Sequence, residues 1–248
     1  MHATYKGASR VAAVNLVFWV IKILSTGLGE TGAEYLDHKY EPVIVVILSG
    51  IVLAFSLIWQ LRSRQYSAIR YWTAVIMVSV FGTLAADAVH VILGVPYWAS
   101  TTCFAVALVV VFLLWRRLEG SLEMVSITST RAEVIYWTAV MTTFALGTAA
   151  GDWMAMGLGF GFLGGTLVFT VCFVAPMVLG KARLLQGTMA FWLAYTFTRP
   201  MGASFADWLA LPPERGGLGL GTLNVTLFWL AAVVLVGVLA RRSKSVMV

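Results

Sequence analysis

The stretch that decides the fold is residues 71–87, YWTAVIMVSVFGTLAAD, because it returns later in the chain. Residues 136–152 read YWTAVMTTFALGTAAGD and lie at an offset of 65, without a gap. Both stretches share the opening Tyr-Trp-Thr-Ala-Val, a Gly-Thr pair and a final Asp. Such self-similarity indicates that the fold is built from one supersecondary unit used several times.

A simpler form of the same pattern occurs four times. Each copy has a Trp, a Gly ten residues later and an acidic residue five residues after the Gly. The four copies are Trp19-Gly29-Glu34, Trp72-Gly82-Asp87, Trp137-Gly147-Asp152 and Trp192-Gly202-Asp207. The pattern predicts four tandem units near residues 11–64, 70–118, 133–185 and 188–242.

The composition places these units in a lipid bilayer. Of the 248 residues, 60% are hydrophobic and only 11% are charged, whereas soluble domains carry about 25% charged residues. A soluble enzyme, a disordered chain and a secreted disulfide scaffold are therefore excluded. The net charge of +6 does not indicate nucleic-acid binding, because the basic residues are spread between apolar runs.

Eight apolar stretches are long enough for spanning helices, which need about 20 residues. They are residues 11–35, 42–61, 71–94, 99–115, 133–157, 162–180, 188–211 and 219–240. We therefore predict an all-α integral membrane protein, with residues 1–248 forming a single transmembrane domain of eight transmembrane helices. Each unit contains two spans, so the four tandem two-helix repeats are parallel.

The cations predict the orientation. Thirteen of the 17 Lys and Arg residues, Lys6 among them, precede the first span, follow an even-numbered span or end the chain. Lys39 and Arg215 lie on the opposite side, and Lys22 and Arg199 lie within spans. The positive-inside bias puts the crowded side, and with it both termini, in the cytoplasm.

The recurrent Trp and Gly positions have plain structural interpretations. Each Trp lies near the cytoplasmic end of an odd-numbered span, as an interfacial anchor does. Each Gly permits a close helix crossing in lipid. Cys103 and Cys172 lie inside apolar runs and are expected to be small buried residues.

The acidic residues are the candidate ion-binding groups. The repeated acid lies about 22 Å beyond the Trp along the helix, in the outward half of the span. Ionisable side chains at such depth usually face a bundle interior, a partner or a water-filled cavity. We expect Glu30, Glu34, Asp87, Asp152 and Asp207 to converge on one outward-facing vestibule. The alternative is that they cap helix ends, pair with cations or lie in interfacial water.

Two cations share the helix face of these acids. Counting back in fours, which keeps to one face of a helix, reaches Lys22 from Glu34 and Arg199 from Asp207. We expect both to point inward and to pair across helices, as Lys22 with Asp207 or Arg199 with Glu30 or Glu34. Such a pair is alternatively only structural, joining the first unit to the last.

Two histidines raise the question of a metal site. His90 follows Asp87 by three residues and His38 follows Glu34 by four, so each pair shares a helical face. Carboxylate with imidazole suits Mn, Fe or Zn. A divalent metal is therefore a candidate substrate bound at Asp87, His90 and His38, and the sequence indicates no other cofactor.

The repeat resembles a bacterial family of uncharacterised multi-pass membrane proteins, built from a tandem two-helix repeat of unknown function with a recurrent Trp. The matching segments are Thr26-Gly27-Leu28-Gly29-Glu30, Gly82-Thr83-x-x-x-Asp87, Gly147-Thr148-x-x-x-Asp152-Trp153 and Gly202-Ala203-x-x-x-Asp207-Trp208. The resemblance implies this fold and the bacterial cytoplasmic (inner) membrane, but no activity.

Three functions remain open. The first is a secondary transporter or exporter of a small cation, a divalent metal such as manganese, with possible proton coupling through the carboxylates. The second is a non-transport membrane scaffold or partner subunit. The third is an organic-anion transporter that uses Lys22 and Arg199. No motif indicates an enzyme, and a homo-oligomer is possible.

Overall fold

The chain folds into eight long helices, as a computed structural model shows for residues 9–91 and 93–246, and the described residues contain no strand. The helices are α1 (Leu16–Lys39), α2 (Pro42–Leu61), α3 (Ala68–Val91), α4 (Tyr97–Glu119), α5 (Thr130–Asp152), α6 (Gly161–Lys181), α7 (Gly187–Ala210) and α8 (Thr222–Val246). The predicted all-α class and the eight-helix repeat architecture are confirmed.

Local capping moves two predicted helix ends. The first helix begins at Leu16, not at residue 11, because the Asn15 side chain accepts a hydrogen bond from the Phe18 N–H at 2.9 Å. The fourth helix is 23 residues long and not the short span expected, and it ends where Gly120 adopts a left-handed conformation, φ +74°.

The helices form two layers. In the inner layer α1 contacts α3 and α7, and α5 contacts the same two helices, so the four odd-numbered helices close a ring. In the outer layer α2, α4 and α6 each lie mainly on the odd-numbered helix of the next unit, and α8 lies on α1. The last unit thus closes on the first, as parallel repeats around an axis require.

The apolar character of the helices differs between the two layers. Seven of the eight helices are long and apolar enough to cross a membrane, and α7 is the exception among the described residues. Helix α7 carries Arg199 and Asp207, both buried, and lies against α1, α5 and α6. It is less apolar because protein, and not lipid, surrounds those side chains.

The outer helices expose most of their apolar surface. In the most apolar stretch of each even-numbered helix only 11 to 22% of residues are buried, against 44 to 67% in α1, α3 and α5. This corrects the expectation for Cys103, which is exposed on α4, while Cys172 on α6 is half-buried. Neither forms a disulfide.

Backbone contacts place the cation-rich segments on one face. The Arg10 N–H donates to the Ile127 carbonyl at 3.1 Å, and the Tyr66 N–H donates to the Ser9 carbonyl at 3.2 Å. The N-terminal segment therefore lies against the α2–α3 and α4–α5 connections, as the charge bias predicts. Lys6 lies outside the described residues.

The repeated tryptophans are core residues and not interfacial anchors. Trp137 and Trp192 are almost fully buried and pack with Tyr71, Tyr136 and Tyr195, and Trp19 and Trp72 are partly buried against the same cluster. The Trp192 indole N–H donates to a backbone carbonyl at 2.9 Å. The anchor interpretation is wrong because these side chains turn inward, where the odd-numbered helices meet.

Candidate functional site

The repeated glycines mark the crossings of the inner helices. A Cβ at Gly29 would overlap Ser79 of α3, and one at Gly147 would overlap Arg199 of α7. A Cβ at Gly82 would lie 3.4 Å from the Phe144 side chain, and one at Gly202 would lie 2.9 Å from the Thr26 side chain. Each repeated glycine therefore contacts the next unit in cyclic order, and the last unit contacts the first. The residue that it contacts lies eight positions before the repeated acid of that next unit. The glycines serve close packing, as predicted.

These crossings hold the four units in register, so equivalent residues form layers along the axis. From the outer face inward, we name them the acid, threonine, arginine and lysine layers. The acid layer contains Glu34, Asp87, Asp152 and Asp207; the threonine layer Glu30, Thr83, Thr148 and Ala203; the arginine layer Thr26, Ser79, Phe144 and Arg199; and the lysine layer Lys22, Val75, Val140 and Tyr195.

Arg199 joins all four units at the centre. Its guanidinium Nη2 lies 2.5 Å from a Glu30 carboxylate oxygen and donates to the hydroxyls of Thr83 and, at 2.9 Å, Thr148. Its three partners are the threonine-layer residues of the other three units, and the fourth position in that layer is the small Ala203. The predicted Arg199–Glu30 pair is present, with the Arg199 side chain fully buried.

Lys22 has no such partner. Its side chain is fully buried, and its ammonium Nζ lies 4.0 Å from the centre of the Phe144 ring and 4.6 Å from that of Tyr195. No hydrogen-bond partner for Nζ exists among the described residues. The predicted Lys22–Asp207 pair is not formed, because the lysine and acid layers are about 18 Å apart along the axis.

Two acid-layer residues differ in how they are held. Glu34 pairs with Arg215 of the α7–α8 connection at 3.2 Å, instead of with Arg199. Asp207 is buried, and its Oδ1 has no hydrogen-bond partner in the described part of the chain.

The remaining two acids complete a cluster of like charge. Asp87 and Asp152 are half-buried, and the two interact electrostatically with each other. Asp152 and Asp207 also both interact with Glu30. The structure therefore brings the five predicted carboxylates into one electrostatic cluster around the axis.

The histidines do not combine with the carboxylates into a metal site. His38 is exposed, with its Nδ1 2.8 Å from the Glu34 carbonyl oxygen, and the His90 Nδ1 lies 2.9 Å from the Val95 carbonyl oxygen. Among the described residues, no group of three or more His, Cys, Asp or Glu side chains is placed to hold a metal ion. The predicted site at Asp87, His90 and His38 is not formed, because both imidazoles turn to local backbone.

Two cavities lie at the sides of the inner ring. One, of about 660 Å³, lies among α4, α5, α6 and α7 and includes Phe112, Trp192 and Pro200 in its lining. The other, of about 360 Å³, lies among α3, α4 and α5. None of the acid-layer residues lines either cavity.

A second buried polar network escapes prediction from the sequence. Glu133 is fully buried at the start of α5, where the Arg10 Nη1 lies 3.2 Å away and the Gln60 amide donates to it at 2.8 Å. The signal was present, because a glutamine and a glutamate lie at the ends of apolar spans. Pairing them across residues so distant in the chain required the fold.

Comparison with known proteins supports the repeat. The family model described as "Repeat of Unknown Function (DUF347)" matches residues 17–66, 70–121, 135–183 and 190–245. Neither a curated protein nor a solved structure matches the chain. The four matches agree with the four units that the Trp-Gly-acid spacing predicts.

Proposed function

The chain belongs to the family of the Repeat of Unknown Function DUF347, whose description carries no activity, and we propose from its axial residues that the protein transports a small cation across a membrane. The carboxylates of the acid layer are the binding groups in this proposal, and they would have to approach one another to hold a metal ion, since no three of them are placed to do so in the described part of the chain. Arg199 and Glu30 form the barrier beneath them. The protein would act as a carrier and not as an enzyme.

One observation carries the proposal: three acid-layer carboxylates have no cation partner. Glu30 is paired with Arg199 and Glu34 with Arg215, but Asp87, Asp152 and Asp207 form no ion pair with any described residue. Ionisable side chains within a span are rare and usually pair with one another or mark an ion pathway. Three carboxylates near the outer ends of their helices without an ion pair therefore favour an external cation as the missing partner.

The layers beneath the acids supply a barrier. Arg199 crosses the axis and satisfies the threonine-layer residues that an entering cation would reach next. Passage would require its separation from Glu30, and a cation arriving at the acid layer competes with the guanidinium for that carboxylate. In this way cation binding would favour an opened state, as ligand-shifted equilibria require.

The carboxylate oxygens of the acid layer restrict the class of cation that could bind there. Carboxylates without imidazole suit hard ions such as Mg²⁺, Ca²⁺ and Mn²⁺. Protons are the second candidate, because carboxylates also carry protons in pumps and transporters. A divalent metal such as manganese, exchanged for protons, is therefore the first substrate to test, with the bacterial cytoplasmic membrane as the proposed location.

The test is ion flux in proteoliposomes. The purified protein is reconstituted with an internal Mn²⁺-sensitive or pH-sensitive dye, and flux is followed after an ion gradient is imposed. We expect flux in the wild type and a loss of at least tenfold in Asp152→Asn and Asp207→Asn. Glu214→Gln is the matched control, since Glu214 is an exposed carboxylate on the same outer face, and it should retain full flux.

Other outcomes of the flux experiment would contradict the proposal. If wild-type vesicles carry neither metal ions nor protons in either direction, the transport proposal fails. Retained flux in both Asp variants would remove the acid layer from the mechanism. A protein without flux but with intact folding would instead support the scaffold or partner-subunit hypothesis.

A further inference from the structure

Two buried side chains on the axis carry hydrogen-bond donors that no residue in the described part of the chain accepts. They are Lys22, through its ammonium, and Arg199, through its Nε and Nη1 groups. Both side chains are fully buried. Most buried polar groups in proteins are hydrogen-bonded, so these donors require an acceptor, which is ordered water, a ligand or an ion.

The two cations lie against the same aromatic ring. The Lys22 Nζ is 4.0 Å from the centre of the Phe144 ring, and the Arg199 Cζ is 5.7 Å from the same centre. Lys22 and Arg199 also repel each other electrostatically. The unsatisfied donors therefore share one small region, between the lysine and arginine layers.

The Glu30 carboxylate pairs with Arg199 and leaves Lys22 without an ion pair among the described residues. The eight residues of the lysine and arginine layers include two cations and no acid. The hydroxyls that contribute there donate to backbone, as Thr26 does to the Lys22 carbonyl at 2.9 Å. The Glu30 carboxylate lies against Nη2 of the guanidinium. The Nε and Nη1 groups are therefore left without an acceptor among the described residues.

The ring contacts are too weak to replace an anion. A desolvated cation–π contact contributes about 2 kcal/mol, whereas burying an ion costs several kcal/mol. Aromatic faces also bear no net negative charge, so they leave the repulsion between the two cations in place. A bound anion would offset both costs and accept hydrogen bonds from the free N–H groups.

We propose that Lys22 and Arg199 form a binding site for one small monovalent anion of the halide class, held on the axis beside Phe144. A small anion fits the complete burial of the two side chains, and a site made only of donors fits an acceptor without protons. The inference does not rest on the proposed cation transport, since it concerns different layers and a ligand of opposite charge.

Thermal unfolding in matched salts tests the site. The full-length protein in detergent is heated in sodium chloride and in sodium gluconate at equal ionic strength. At chloride concentrations near 100 times Kd, we expect a Tm roughly 5 °C or more above that in gluconate, because a ligand that binds the folded state stabilises it. Bromide should act as chloride does.

A variant and its control locate the effect. Lys22→Met removes the charge but keeps an unbranched side chain of nearly the same length, and it should abolish the difference in Tm between chloride and gluconate. Lys39→Met is the matched control, because Lys39 is an exposed lysine at the end of the same helix, and it should keep the difference. Equal wild-type Tm values in the two salts, or a chloride effect that survives in Lys22→Met, would overturn the proposal.

A second measurement covers the case in which Lys22→Met does not fold. Crystals of the wild-type protein grown in bromide should show an anomalous peak beside the Lys22 ammonium and the Arg199 Nη1. A bromide-containing crystal without a peak there refutes the site. Neither experiment measures transport, so failure of the cation-flux proposal would leave the anion result intact, and the reverse also holds.

Discussion

Removing the Glu30 charge should destabilise the protein far more than an isolated hydrogen bond would. In Glu30→Gln the Arg199 guanidinium stays buried, with the Thr83 and Thr148 hydroxyls but without the carboxylate that lies 2.5 Å away. Breaking a buried ion pair by removing one partner typically costs about 3–5 kcal/mol. For a chain of this length that corresponds to a fall in Tm of about 6–20 °C.

A double-mutant cycle separates the pair from its burial. Wild type, Glu30→Gln, Arg199→Met and the double variant are unfolded by heat in the same detergent. Because the double variant leaves no uncompensated charge, its loss should be smaller than the sum of the single losses by about 2–3 kcal/mol. It should also be more stable than at least one of the single variants.

The chain contains a control with similar geometry and different exposure. Arg131 and Glu119 lie 2.6 Å apart, but the Arg131 side chain is 67% exposed. Glu119→Gln should therefore cost at most about 1 kcal/mol. If Glu30→Gln were as mild as this control, or if the two single losses simply added, the Arg199–Glu30 pair would not be the central tie that we describe.

Two further perturbations test the packing of the inner ring by thermal unfolding. Gly147→Ala should lose about 1–3 kcal/mol because its Cβ would overlap α7, whereas Gly237→Ala, with open space around it, should lose nothing; equal effects would contradict the crossing. Trp192→Phe should lose about 1–3 kcal/mol, since it removes buried indole volume and leaves the half-buried Leu122 carbonyl without its donor. Trp98→Phe, at a 58% exposed position, should stay within about 0.5 kcal/mol of wild type.

The bundle layout could be predicted because its signals are local or periodic. Long apolar runs, the uneven distribution of cations and the Trp-Gly-acid spacing all lie in the sequence itself. The close crossings at the repeated glycines follow from the same periodicity, since small residues let helices approach in lipid. Helix ends are harder to predict from the sequence, because the cap at Asn15 moves the start of the first helix to Leu16.

The candidate site could be predicted only in part. The four-residue spacing predicts that Glu30 lies on the face of α1 that carries Lys22 and that Arg199 lies on the face of α7 that carries Asp207, and the structure pairs Glu30 with Arg199. The partner of Glu34 was not visible, because Arg215 reaches it from a connection far along the chain. The interfacial-anchor prediction for the tryptophans is wrong for a similar reason, because the position of a residue along a span does not reveal which way its side chain turns.

The sequence by itself therefore determined the class, the number of helices and the positions of the axial charges, and it predicts the orientation. Only the tertiary structure decided which charges meet. Arg199 reaches Glu30 because the glycine crossings bring the arginine layer beside the threonine layer of three other units. Lys22 and Asp207 remain apart because they lie in layers about 18 Å from each other along parallel helices in register.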